Sequence, residues 1–204
     1  TLTPVGAGTA IITFTSGSDA DLTRTINATI APAFVMPVAT YNLSGLVSPA
    51  VNDADAYADT NLTLTFDSPP VLGSTGAIRI FKSSDDSVVD TIKLVDHKDT
   101  IGYGTYRTLN TRPVSISGNT ATIALQSKKL EPNTSYYVAI SESVFTGATL
   151  ATSPFEGIGK NAGWTFTTRA APAANLTSLT VDDDGNTADF RTLQGALNHV
   201  MQNL

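Results

Sequence analysis

The sequence predicts an all-β protein: a β-sandwich preceded by a partial hairpin and followed by one helix. Three observations carry this expectation. Between residues 61 and 168, short runs of alternating apolar and polar residues recur at the spacing of sandwich strands, with Gly, Pro, Asn and Asp between them. Residues 9–30 hold two more alternating runs around a Gly17-Ser18-Asp19 turn. At the C-terminal end, Leu193, Ala196, Leu197, Val200, Met201 and Leu204 fall at helical spacing and form one apolar stripe.

Taken in order, TAIITFT (9–15) and TRTINATI (23–30) make the first hairpin. An isolated hairpin is marginal in water, so it needs a partner sheet, either the sandwich that follows or a neighbour before Thr1. Pro32 and Pro37 mark a domain edge. The larger block begins with NLTLTFD (61–67), which sets Leu62, Leu64 and Phe66 on one face. AIRIF (77–81) does the same with Ile78 and Ile80, and VVDTIKLV (88–95) follows a polar turn. TATIALQ (120–126) comes after a Gly118-Asn119 turn, and SYYVAIS (135–141) after Pro132-Asn133. GWTFTT (163–168) closes the block. Its Trp164, alternating with Phe166, reads as core, and Tyr136 and Tyr137 read as one core and one solvent residue.

The stretch DHKDTIGYGTYRTLNTRP (96–113) is longer than a hairpin loop needs. Tyr103 and Tyr106 in it are the candidates for stacking on a sugar ring, the alternative being tyrosines packed over the base of their own loop. RAAPAANLTSLT (169–180) reads as a linker. The expected organisation is therefore partial strands over 1–35, a sandwich over 36–170, a linker over 171–180 and a terminal segment over 181–204. Thr192 or Asp189 can cap the terminal helix, and His199 and Asn203 fall on its solvent side. Burying its stripe is worth ~1.5–3 kcal/mol for each large residue, so the helix must dock. The sandwich is a poor partner, because a flexible linker intervenes and its two sheets cover each other.

Composition excludes several classes. In 204 residues, 41% are hydrophobic and 15% charged, which suits a packed core with a Thr- and Ser-rich surface. With no cysteine, disulfides and thiolate metal sites are ruled out. A net charge of −6, with no basic run, disfavours nucleic acid. No stretch is long and apolar enough to span a bilayer, and no signal peptide is visible at Thr1, so the chain reads as cut from something longer or already processed. Asp182, Asp183 and Asp184 invite a calcium reading, but the spacing is not an EF-hand loop and a solvated turn is expected. His97 and His199 have no partner at ligand spacing and read as surface residues. No G-x-S-x-G is present, and GAG at 6–8 opens no helix.

Two resemblances add to this. NLTLTFDSPPVLGSTGAIRIF, LEPNTSYYVAIS and GWTFTT, in that order, resemble the bacterial Ig-like domain of surface-layer proteins over roughly residues 40–168, with 96–113 as a departure from the simplest form. GAGTAIITFTSGS and TRTINATI resemble the last two strands of such a unit. LTVDDDGNTADFRTLQGALNHV resembles the opening of a pectinesterase catalytic domain, through Val181, Asp184, Gly185, Asp189, Phe190, Thr192, Gln194 and Ala196. In that family this segment caps a right-handed parallel β-helix, and the helix plugs the open end of the coil. The family's catalytic aspartates, glutamines and arginine lie downstream, so no catalytic residue is carried over.

The resemblance implies the non-catalytic N-terminal accessory region of a secreted or cell-surface bacterial pectinesterase. The partners implied are plant cell-wall pectin and a β-helix in the same chain, with no cofactor and no metal. A polysaccharide-binding module and a structural adhesion protein are the alternatives.

Overall fold

The computed structural model describes residues 8–18, 23–30, 34–95, 97–103, 105–126, 128–173 and 177–202. They form an all-β protein with one short helix near the C-terminal end of the described residues. The chain divides into two compact units, Thr1–Val35 and Met36–Leu204.

The first unit is an antiparallel hairpin of β1 (Gly8–Thr15) and β2 (Thr23–Ile30), with Ile12 opposite Ile26 and Thr15 opposite Thr23. Strand alternation divides its residues between two faces. Ala10, Ile12, Phe14, Arg24 and Ile26 share one face, and Thr9, Ile11, Thr13, Thr15, Thr23, Thr25 and Asn27 share the other. Phe14 and Ile26 remain exposed.

The second unit holds the core. Its strands are β3 (Val47–Ser48), β4 (Asp53–Ala56), β5 (Leu62–Thr65), β6 (Val71–Leu72), β7 (Ala77–Lys82), β8 (Val88–Lys93), β9 (Lys98–Tyr103), β10 (Thr105–Asn110), β11 (Val114–Ser117), β12 (Thr120–Ile123), β13 (Ser135–Ile140), β14 (Phe145–Thr146), β15 (Thr149–Leu150), β16 (Ser153–Pro154) and β17 (Thr165–Thr168). One sheet has the order β11-β12-β5-β3 and the other β4-β17-β13-β7-β8, antiparallel throughout except for the β4–β17 pair. Both sheets feed one core: Leu62, Leu64, Ala121 and Ile123 from the first, Ile78, Ile80, Ile92, Val138 and Phe166 from the second. Trp164 is fully buried and donates its indole N–H to the Pro49 carbonyl at 3.0 Å. Leaving that donor unpaired in the core would cost about 1–3 kcal/mol.

Three expectations change. Tyr136 and Tyr137 are both buried, because the outer face of central strand β13 is covered too. Tyr137 stacks on Phe81 at 4.9 Å, and Lys160 lies over its ring. Its hydroxyl donates to Asp86, and burial together with that carboxylate pushes its pKa up to about 12.

The long 96–113 stretch is a two-stranded ribbon of β9 and β10, not a loop. Its base is pinned where Thr111 N–H donates to the His97 carbonyl and Gln126 Nε2 to the Lys98 carbonyl. His97 is buried, with Nδ1 accepting from the Lys93 amide at 3.3 Å, so it is part of that anchor and not a surface residue.

The third change concerns α1 (Leu193–Gln202) and the segment leading into it, which are bonded to the two-sheet body.

Candidate functional site

The junction between body and terminal segment is built from residues far apart in sequence. Tyr57 and Asp59 follow β4, Arg169 follows β17, and Arg191 and Thr192 precede α1. The Tyr57 ring carries the Arg169 guanidinium at 3.5 Å and the Arg191 guanidinium at 4.6 Å from its centroid. Guanidinium over an aromatic face contributes about 0.5–2 kcal/mol, more as water is excluded. The buried Tyr57 hydroxyl donates to the Ala188 carbonyl at 2.9 Å, and Arg169 Nη1 donates to the same oxygen at 3.1 Å. Arg169 also pairs with Asp55, and Arg191 donates to the Asp183 carbonyl and to Asn186 Oδ1.

Asp59 holds the start of the helix from outside it. Its carboxylate accepts from the Arg191 amide at 3.2 Å, from the Thr192 amide at 2.7 Å and from the Thr192 hydroxyl at 2.8 Å. Thr192 Oγ1 in turn accepts from the Gly195 amide at 2.9 Å, the N-cap bond expected of Thr192. Asp189, the other cap candidate, is committed elsewhere. Its carboxylate takes the amide and hydroxyl of Thr180, each at 2.8 Å, and those bonds hold its pKa below the usual carboxylate value. A parallel bridge then joins Val181 to Phe190.

Mounted this way, α1 leaves much of its apolar stripe in solvent. Leu193 (68% exposed), Leu197 (47%) and Val200 (41%) face outward, Met201 is half-buried, and Ala196 is the buried member among the described residues of the stripe. Gly195, Ala196 and His199 pack toward the body, and Gln194, Asn198 and Gln202 line one edge of a cleft of about 410 Å³, with Gln194 and Gln202 exposed. His199 is half-buried against the Phe190 ring at 5.4 Å, not solvent-facing as the wheel suggested.

The other candidates lie apart from this junction. In the β9–β10 ribbon, Tyr103 pairs with Thr105 and Tyr106 with Gly102, which places positions 103 and 106 on opposite faces. Tyr106 is 64% exposed, and the Tyr103 side chain lies outside the described ones. Asp182, Asp183 and Asp184 are exposed, with ligand oxygens within 4.8 Å of one another. Amides of the same turn hold Asp182 below its usual pKa, and the hydrogen bond that the Asp184 carboxyl donates to Asp182, together with the charge of Asp182, raises Asp184. No helix among the described residues is long and apolar enough to cross a membrane.

Sequence reasoning missed Tyr57, Asp59 and Arg169, and no local pattern marks them. No family model matches the sequence, and no curated protein matches it.

Proposed function

We propose that the chain is a non-catalytic accessory region of a secreted bacterial pectinesterase: an Ig-like β-sandwich that carries the start of a right-handed parallel β-helix. The observation that carries this reading is the outward apolar stripe of α1. A helix tied to its neighbour at its N-terminal end, with leucines in solvent, is arranged to be covered along its apolar stripe. The parallel bridge between Val181 and Phe190 supports it, since parallel pairing over so short a separation makes the chain coil back beside itself. Two sheets sharing one core support the Ig-like part. The region's role is to hold the catalytic domain at a fixed angle; the ester hydrolysis, with methanol released from methylated pectin, belongs to downstream residues.

The test is to isolate the native product carrying this sequence, weigh it, and assay methanol release from methyl-esterified pectin. A product tens of kilodaltons heavier than the 21.3 kDa of these residues, with that activity, supports the reading. A native product of the same mass, or a heavier one inert on pectin, overturns it. A polysaccharide-binding role is favoured by one observation, the exposed Tyr106 on the β9–β10 ribbon. It predicts saturable pectin binding that Tyr106→Ala removes.

A further inference from the structure

The geometry points to a binding site for a neutral sugar in the cleft between the polar side of α1 and the two-sheet body. The cleft holds about 410 Å³, at the small end of the ~300–1,000 Å³ of small-molecule sites, and suits one or two pyranose rings. Its walls differ in chemistry. The α1 wall presents Gln194, Asn198 and Gln202, spaced four residues apart and therefore on one side of the helix. Asn61 and Gln126 line the body wall, and Leu130 supplies apolar surface.

A side-chain amide both donates and accepts, as a sugar hydroxyl does, so facing carboxamides match a polyol without charge. Gln194 Nε2 donates to Asn198 Oδ1 at 2.9 Å, which leaves the Gln194 oxygen and the Asn198 amino group for a ligand. Gln126 spends its amino group on the Lys98 carbonyl and keeps its oxygen.

The charged residues around the cleft are already engaged. Asp59 caps α1, Arg169 serves Ala188 and Asp55, and Glu131 pairs with Lys82 at 2.8 Å. Around the cleft the carboxylates Asp59, Glu131 and Asp189 outnumber the cations Lys128 and Arg169, which with a net charge of −6 works against an anionic ligand. The ligand class is thus an uncharged pyranoside, including a uronate whose carboxyl is methyl-esterified. The site uses residues 57–202 alone and stands whether or not a catalytic domain follows.

The experiment is a titration of the 204-residue chain, followed by calorimetry and amide NMR, with three probes: cellobiose, fully methyl-esterified trigalacturonate and unesterified trigalacturonate. The expected result is saturable millimolar binding of at least one neutral probe, with the Gln194 and Asn198 side-chain amide signals moving. The unesterified acid binds more weakly than its methyl ester. Gln202→Ala and Asn61→Ala, at exposed positions with no side-chain hydrogen bond among the described residues, leave the fold intact. Each weakens binding about fivefold, as for one neutral hydrogen bond, and Tyr106→Ala changes nothing. Absence of saturation by both neutral probes, binding that neither cleft variant weakens, or tighter binding of the acid overturns the assignment.

Discussion

Gly195 sits so near Asp59 that an added Cβ would lie 2.3 Å from the carboxylate and 2.9 Å from the aspartate Cβ. In an ordinary helix, Gly→Ala gains about 1 kcal/mol. Here Gly195→Ala is expected to loosen the segment, because the Asp59 cap must move. Hydrogen exchange of the α1 amides reads this, and in an Asp59→Gly background the same substitution should regain its ordinary stabilising sign; additive effects of the two changes would refute the coupling. Asp59→Ala alone is expected to cost the segment about 1–2 kcal/mol by removing an acceptor for three donors.

A second residue-scale prediction concerns Asp90, buried on β8. Desolvation raises its pKa, opposed by the Gln126 and Thr91 amides and by the charges of Lys129 and His97. A carboxyl whose folded pKa lies above its unfolded value holds its proton more tightly when folded. Stability is therefore lost as pH rises from the unfolded value of 3.8 through the folded one. Asp90→Asn keeps an acceptor for the Gln126 amide and does not ionise. It should match or exceed wild-type stability at pH 7 and flatten the pH profile above pH 3.8, as followed by denaturant melts.

At the scale of elements, Leu193 and Leu197 to Gln should leave the stability of the 204-residue chain unchanged within about 0.5 kcal/mol, since exposed positions cost little. In a longer native product that covers the stripe, the same pair should destabilise by several kcal/mol. Equal effects in both would mean that nothing packs there.

The elements also show what sequence could reveal. The strands with Leu62 and Leu64, or Ile78 and Ile80, were legible because one buried face imposes a period of two. KDTIGY and TYRTLN escaped because their alternation is mostly polar, with Tyr106 and Leu109 exposed. The α1 stripe was legible, but not its direction. Orientation is set by Tyr57, Asp59 and Arg169, whose partners lie 131 and 133 residues away for the first two and 19 for the third. Tyr137 was misplaced for a related reason: alternation locates a face but cannot tell that Phe81 and Lys160 cover it.

For the whole molecule, all of the principal core lies in the unit Met36–Leu204. A chain beginning at Met36 is therefore expected to melt at the temperature of the full chain, by circular dichroism. A drop of several degrees would show that the hairpin contributes to the core's stability.

The lone tryptophan gives the molecule an unequal internal reporter. Trp164 lies in the body, its indole sealed from water beneath the Pro49 carbonyl, and the terminal segment has none. Its emission should stay blue while the body holds, whatever happens around Tyr57. Release of the helix is thus dark to selectively excited tryptophan emission, and a melt followed that way reads the body's stability alone.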